Sequence, residues 1–470
     1  MKTLLLRPFV DSTTGNSPPI SIMYVSSYLK SKSLDVKLID NCIGIKHIKD
    51  LSLKNHHIKT LINNIKKYDP DIIGMTLFSR ELNIMLKLCR LLKKELNNPI
   101  IVLGGPHPTV MPKETLDQIS GCDIVVRGEG EVVFYDLIDT LSKSKNLNNV
   151  KGISFREKDK IIHCKNADII DDLDKIPFPD RASLIQNYKK GNYSSLLYGS
   201  PSDIMMTSRG CPFKCNFCFK VCGKYRSRSP ENVLKEIGWI VKNISPQFIQ
   251  IMDDSFTIQR GRCIKILDLL IKKKYFCKFK IRSRVDAVDE EILRKMKKAG
   301  VDTVVYGFES GSQKILDAIN KQTKVEQNIK SCKLTKKAGI NCLGDMILFY
   351  PGETRKTLEE TKQFIKKAKP TGLRFYVLTP LPKTKVYDDA KKQGTLVGDW
   401  KVGCGTPWVK LDEFKNVDEM EKISKRMFIE TSLTSQGMLY ASKSFLRSLL
   451  KNPYFTLKSI VNPFMQKNKY

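Results

Sequence analysis

With 81 Lys and Arg against 49 Asp and Glu, the 470-residue chain carries a formal charge of +32, yet 41% of its residues are hydrophobic. That balance excludes a disordered polyelectrolyte, and the length accommodates two domains with cores of their own plus a tail. The surplus Lys sits in short clusters on helix-like segments, such as Lys272-Lys273-Lys274 and Lys336-Lys337, with no interleaved aromatics; it reads as a solvated surface, and no nucleic-acid partner is expected.

Residues 1–145 alternate apolar runs with amphipathic segments. Strands are predicted at Thr3–Leu6, Asp35–Ile39, Ile72–Thr76, Ile100–Leu103 and Ile124–Val126, and helices at Ile20–Ser31, Ile58–Tyr68, Leu82–Leu96 and Lys113–Ile119. This alternation predicts a doubly wound parallel sheet, with ligands beyond the strand C-termini. Small-residue turns fall there: Pro8–Pro19, Thr76–Ser79, Gly104-Gly105-Pro106-His107-Pro108 and Arg127-Gly128-Glu129-Gly130-Glu131. Residues 146–196 read as a connector, with a weak hairpin (Gly152–Phe155, Lys160–His163) and the turn Pro177-Phe178-Pro179-Asp180.

A second series fills 197–410, with strands expected at Asp203–Thr207, Phe248–Met252, Lys278–Arg282, Thr303–Gly307, Cys342–Leu348 and Gly372–Leu378. Six strand–helix units predict a full or partial β/α barrel, so the fold class is α/β throughout, closed by a helical, basic tail at 411–470. In the tail, Phe445, Leu446, Leu449 and Leu450 share a face beside Lys443, Arg447 and Lys451; packing on the barrel is the first reading, and peripheral membrane contact the second. No stretch reaches the roughly 18 apolar residues of a membrane span, and the N-terminal apolar run is too short for a signal peptide.

Thirteen cysteines, ten of them far apart, do not read as a disulfide framework, and a reducing cytoplasm fits best. Cys211, Cys215 and Cys218 fall within eight residues as C-x3-C-x2-C, directly after the first strand of the barrel. Thiolates in so tight a loop suit an iron–sulfur cube and leave one of its four irons open. Zinc with Cys222 as fourth ligand is the competing reading, although paired C-x2-C knuckles would then be expected. Cys404, in a turn between Gly403 and Gly405, reads as an ordinary loop cysteine.

The loop Cys211-Pro212-Phe213-Lys214-Cys215-Asn216-Phe217-Cys218 resembles that of radical S-adenosylmethionine enzymes. The likeness continues through Tyr225–Val233, Asp253-Asp254-Ser255-Phe256, Gly307-Phe308-Glu309-Ser310-Gly311 and Gly344–Thr354. It implies a [4Fe–4S] cluster on Cys211, Cys215 and Cys218 that splits S-adenosylmethionine to a 5′-deoxyadenosyl radical. By position, Phe217 would lie beside the adenine, Asp253 and Asp254 would face the barrel mouth, and Glu309 would bind the ribose or methionine part. The alternatives are a core role for Phe217 and ion pairs of the acids with Arg282 or Arg284.

The first domain is similar to the cobalamin-binding domains that precede many such enzymes, through Pro18–Tyr24, Gly104–Thr109 and Asp123–Glu131. Gly104, Gly105, Pro106, Gly128, Glu129 and Gly130 would then lie against the corrin. The Asp-x-His-x-x-Gly pattern that supplies a cobalt ligand in mutases is missing, and His107 reads as a turn residue; a scaffold without cobalamin is the alternative. The implied activity is methylation of an unactivated carbon of a small-molecule or lipid-like substrate, with electrons from a donor such as flavodoxin or ferredoxin. Cyclisation without methyl transfer uses the same parts. A methylthiotransferase would need a second cluster, for which Cys42, Cys89 and Cys122 are available but poorly placed, and a nucleic-acid-binding protein with a structural metal rests on charge alone.

Overall fold

The computed structural model describes residues 1–9, 15–42, 51–195, 201–219, 222–404 and 406–432. Short runs such as Thr3–Arg7 and Ile72–Thr76 form strands buried on both faces, because side chains alternate sides and both sides are covered. Leu4, Leu6, Ile73, Met75, Ile101 and Leu103 face the helices His56–Tyr68 and Leu82–Glu95. Leu5, Ile72 and Val102 face the helices Ile20–Ser31 and Gly130–Ser142, in a core continuous with that of the second sheet.

The first sheet runs in the order Val36–Asp40, Thr3–Arg7, Ile72–Thr76, Ile100–Gly104 and Ile124–Val126, all parallel. This is the 2-1-3-4-5 winding, whose switch point lies between Thr3–Arg7 and Ile72–Thr76. The hairpin Ile153–Glu157 and Lys160–His163 then extends the sheet antiparallel at the Ile124–Val126 edge. The sequence reading placed that hairpin in a connector; its short, polar second strand hid the fact that Ile153 and Phe155 are buried against the sheet.

The second sheet holds Ser202–Met205, Phe248–Ile251, Lys278–Ser283, Val301–Glu309, Asn341–Leu348 and Gly372–Val377, all parallel and in chain order. Its two end strands do not pair with each other, so of the two forms expected the partial barrel is found. The intervening helices start on side-chain caps: Ser229 accepts from Asn232 N, Asp289 from Ile292 N and Thr354 from Thr357 N. Beyond the barrel, the described part of the tail is the helix Val417–Ser432. The apolar face proposed around Phe445–Leu450 lies outside the described residues. Among the described residues no helix is long and apolar enough to cross a membrane.

The segment between the sheets is more than a connector. Arg181, next after the Pro177–Asp180 turn, is 1% exposed and inserts between Asp203 (Nε–Oδ2 2.6 Å) and Glu236 (Nη1–Oε1 2.7 Å, at an angle outside hydrogen-bond geometry). Asp180 holds the first domain through Ser26 Oγ (2.6 Å) and Lys30 Nζ (2.8 Å).

Glu353 lies buried beyond the fifth barrel strand, accepting from Phe349 N (3.0 Å) and Thr357 Oγ1 (2.7 Å). Burial, then the two hydrogen bonds working against it, leave its pKa pushed up to about 7 from an ordinary 4.5. In that window the folded chain keeps a proton that the unfolded chain has released, so the stabilisation is full below the unfolded pKa and is lost as pH rises through about 7. Glu353→Gln is therefore expected to flatten the dependence of melting temperature on pH between about 4.5 and about 7, read by thermal melts across that range.

Candidate functional site

The cysteine loop leaves the first barrel strand through a small antiparallel ladder, Ser208–Arg209 against Arg226–Ser227. Gly210 follows with φ +84°, and a Cβ there would stand 2.5 Å from the carbonyl oxygen of Lys224. Only glycine fits that approach, and it turns the chain directly into Cys211. The loop is pinned from above and below. Asn216 N donates to Ile319 O (2.8 Å), Asn320 Nδ2 to Lys214 O (2.9 Å), and the Arg284 guanidinium stacks 3.6 Å from the Phe213 ring centroid.

Cys211 and Cys215 are half-buried and Cys218 is exposed. A hydrogen bond within the Cys215–Cys218 pair lowers the pKa of Cys215 and raises that of Cys218, and the nearby Lys321 and Arg284 cations favour the Cys215 thiolate further. Burial raises the pKa of Cys211. Among the described residues no three His, Cys, Asp or Glu side chains gather around a single-ion position. A closed zinc site needs four such groups around one ion, whereas a cube spreads its thiolates over separate iron corners. Cys222 lies half-buried at the base of the ladder, its thiol pKa pushed up to about 11 by burial and then by the Glu129 charge, and its carbonyl accepts from Arg226. The donor set and its cationic setting fit the cluster.

Glu309 ends the fourth barrel strand at φ +62°, a strained position for a non-glycine residue, and pairs with Lys321 (Nζ–Oε1 2.7 Å). The pair lies close enough to Cys215 and Cys218 to perturb both. Lys321 escaped the sequence reading because it lies in an unremarkable loop after the helix Gln313–Ala318. Phe217 is half-buried and packs, with Cys215, on the apolar cluster of Ile315, Tyr350, Leu378 and Val386. Asp254 is exposed at the strand end, its pKa raised by desolvation and then by Asp253.

Asp253 departs from expectation. It does not open on the barrel mouth: its carboxylate accepts from Thr207 N and Oγ1 (2.6 and 2.5 Å) and from Ser208 N and Oγ (3.1 and 2.7 Å). Four donors saturate it, so Asp253 braces the strand that feeds the cysteine loop. Neither it nor Asp254 forms the ion pair with Arg282 or Arg284 that was the alternative reading; Arg284 pairs with Asp286.

In the first domain, Gly104, Gly105 and Pro106 cross from the fourth strand into the short helix Pro106–Val110. Thr109 Oγ1 donates to Gly105 O (2.7 Å) and accepts from Gly128 N (3.0 Å), tying the two glycine turns together. A Cβ on Gly128 would meet nothing within 4 Å, so this turn borders open space beyond the strand ends. An open cradle beyond the C-terminal ends of the fourth and fifth strands of this parallel sheet fits a corrin. His107 is buried in the helix, not in a turn, with a pKa pushed down to about 4 by burial and Nδ1 3.0 Å from Ser79 Oγ. At Gly105, φ is +96° and a Cβ would lie 2.7 Å from Thr76 Cγ2. Gly105→Ala is expected to cost about 1–2 kcal/mol in a thermal or urea melt and to lower cobalamin uptake by the purified chain.

The Glu129 side chain turns away from the cradle. Its carboxylate is taken by Arg226 (Nη1 2.9 Å, Nη2 2.6 Å) and lies 3.5 Å from Arg209, so it serves the joint between domains and is not free for a ligand. Glu131 adds a bond to Arg209 Nη2 (2.5 Å), and Gly130 packs against Val25. The three cysteines once available for a second cluster do not converge. Cys89 and Cys122 are buried in the first domain's core, while Cys42 lies beside Asp40 and Arg7.

Comparison with known proteins agrees with this layout. Residues 6–138 match the B12 binding domain and residues 205–365 the Radical SAM superfamily. An uncharacterized methyltransferase of Pyrococcus horikoshii is 31% identical, over 97% of this chain and 99% of its own length. The anaerobic magnesium-protoporphyrin IX monomethyl ester cyclase of Rubrivivax gelatinosus is 28% identical, over 97% of this chain and 84% of its own. Among solved structures, the cobalamin-dependent S-adenosylmethionine radical enzyme OxsB with aqua-cobalamin bound superposes with a TM-score of 0.72 at 21% identity, covering 99% of this chain and 75% of that one. Family models over residues 6–138 and 205–365, with the Pyrococcus relative aligned along nearly the whole of both chains, show that the chain belongs to the B12-binding radical S-adenosylmethionine enzymes.

Proposed function

We propose that this enzyme transfers a methyl group to an unactivated carbon of a small-molecule or lipid-like substrate. The observation that carries the reading is the joint between the two cofactor sites. Arg209, two residues before the first cluster cysteine, is held by Glu131 and Glu129 of the very turn that borders the corrin cradle. Both pairs are nearly dry, so the two sites keep a fixed separation. When bound, the cluster supplies the electron that opens a sulfonium bond of S-adenosylmethionine, and the cobalamin carries the methyl group. The chain's own residues do the rest: Glu309 and Lys321 face the ligand end of the loop, and Phe217 with its apolar neighbours keeps water from one side of it.

The Pyrococcus relative is named a methyltransferase, which favours this reading. The likeness to a ring cyclase favours, as second choice, radical cyclisation with the same parts. Anaerobic reconstitution with S-adenosylmethionine and dithionite, with and without cobalamin, separates them. Methyl transfer predicts 5′-deoxyadenosine, S-adenosylhomocysteine and a product heavier by one methyl group, all dependent on cobalamin. Deoxyadenosine with an unmethylated, altered product would support the cyclase, and no deoxyadenosine at all would refute both. A donor of the flavodoxin or ferredoxin kind would replace dithionite in a reducing cytoplasm, a compartment consistent with thirteen free thiols.

A further inference from the structure

The two faces of the barrel sheet carry opposite chemistry. Phe279, Ile281, Val304, Tyr306, Met346 and Leu373 pack outward on the helices. The alternate positions therefore project into the concave interior. There the register sets Gln250 beside Lys280, and Asp345 beside Arg374, with Arg282 one step nearer the mouth than Lys280 and Tyr376 one step nearer than Arg374.

The charges on this inner face do not balance. Asp345 is fully engaged by Arg374, at 2.7 and 2.9 Å. Lys280 and Arg282 make no side-chain hydrogen bond or ion pair among the described residues; Arg282 feels the exposed Asp254 carboxylate only beyond ion-pair distance, and its Nε is buried without a partner. Lys280 nevertheless senses Arg374, Arg282 and Asp345, which shows that these groups converge from separate strands. Buried N–H groups are nearly always satisfied, and a pair of half-buried like charges is unfavourable by itself. Such a pair is expected where a bound ligand completes it.

We propose that Lys280 and Arg282 bind an oxyanion of the substrate, a carboxylate or a phosphoryl group. This inference rests on the radical-enzyme reading of the barrel and narrows its substrate to anionic molecules. The engaged Arg374–Asp345 pair flanks the anion without competing for it, and exposed Tyr376 gives the organic remainder of the substrate an aromatic wall at the open side of the barrel. Arg284 and Lys321 belong to the cluster end, since each already has a carboxylate of its own.

The test uses the full-length chain, reconstituted with its cluster and supplied with cobalamin, in low-salt calorimetric titrations. Benzoate and phenylphosphonate are the probes, and neutral benzamide is the control. At least one anion should bind with unit stoichiometry, benzamide should not, and the tighter of the two anions identifies the group. Lys280→Gln and Arg282→Gln should each weaken that binding about tenfold, the loss of one charge-assisted contact, and Lys280→Arg should restore most of it. The surface variant Lys336→Gln/Lys337→Gln should bind as the parent does. Absence of anion binding, or equal binding in Lys280→Gln and the parent, would overturn the proposal, because the generally basic surface would then account for everything. An equal loss of S-adenosylmethionine affinity in Lys280→Gln would overturn it too, by assigning these cations to the methionine carboxylate. Iron content of every variant reports folding. Deoxyadenosine formation in the same samples tests the radical reading separately: its failure with anion binding intact would remove that reading and leave the pocket.

Discussion

Replacing Cys211, Cys215 and Cys218 together by Ala is expected to strip the chain of iron and to abolish 5′-deoxyadenosine formation, with little change in the stability of the iron-free protein. The three side chains sit in a loop where none is buried, and the loop is held by other groups: Asn216 on Ile319, Asn320 on Lys214 and Phe213 on Arg284. Removing exposed or half-exposed thiols from such a loop costs about 0.5 kcal/mol or less. The effect on chemistry is all or none, because each thiolate anchors a different corner of the cube. Cys222→Ala is the internal contrast. It should keep its iron and its turnover, since Cys222 belongs to the base of the ladder near Glu129 and Arg226. Iron analysis and visible absorbance of the reconstituted proteins check both statements. Full iron in the triple variant, or loss of iron in Cys222→Ala, would remove the basis for the cluster.

Arg181→Met is expected to destabilise the chain by about 3–5 kcal/mol, the largest stability change that a single substitution should give outside the cores. Arg181 is wholly enclosed, with Nε on Asp203, Nη1 near Glu236 and Nη2 donating to Ile204 O at 2.9 Å. Methionine fills the space but leaves Asp203 with Tyr188 alone among side chains and Glu236 with Arg228 alone. A buried carboxylate that has lost its cation retains the full cost of leaving water. Urea denaturation of the purified chain reads the loss directly. A triple variant, Arg181→Met with Asp203→Leu and Glu236→Leu, should recover most of it, because an apolar set has no charge to strand. If Arg181→Met melted with the parent, the segment 177–181 would be a passive linker after all.

These two expected outcomes divide along the line between what neighbours in the chain can specify and what only the fold brings together. The proposed cluster ligands are local: three thiols within eight residues are a pattern that spacing alone displays, whatever the rest of the chain does. The fully buried strands were equally legible, because a strand buried on both faces must be a short apolar run wherever it lies, and Ile72–Thr76 and Ile124–Val126 were readable to the residue.

Partnerships across long separations were not legible. Asp253 has its donors 45 and 46 residues away, and Glu129 has Arg226 at a separation of 97, so a carboxylate in a ligand-like motif turned out in each case to brace the structure. The hairpin Ile153–His163 looked independent because its pairing energy comes from a strand edge that the local sequence does not describe.

The inner face of the barrel gives the clearest case. Lys278-Phe279-Lys280-Ile281-Arg282 announces by alternation that one side is polar, and that much the sequence determined. Whether that side meets solvent, an acidic neighbour or an enclosed space is set by the curvature of six strands and by which of them carry Asp345 and Arg374. Electrostatic environment depends on distance in space, not along the chain, and so the unpaired Lys280 and Arg282 became visible only once the strands of the partial barrel stood side by side.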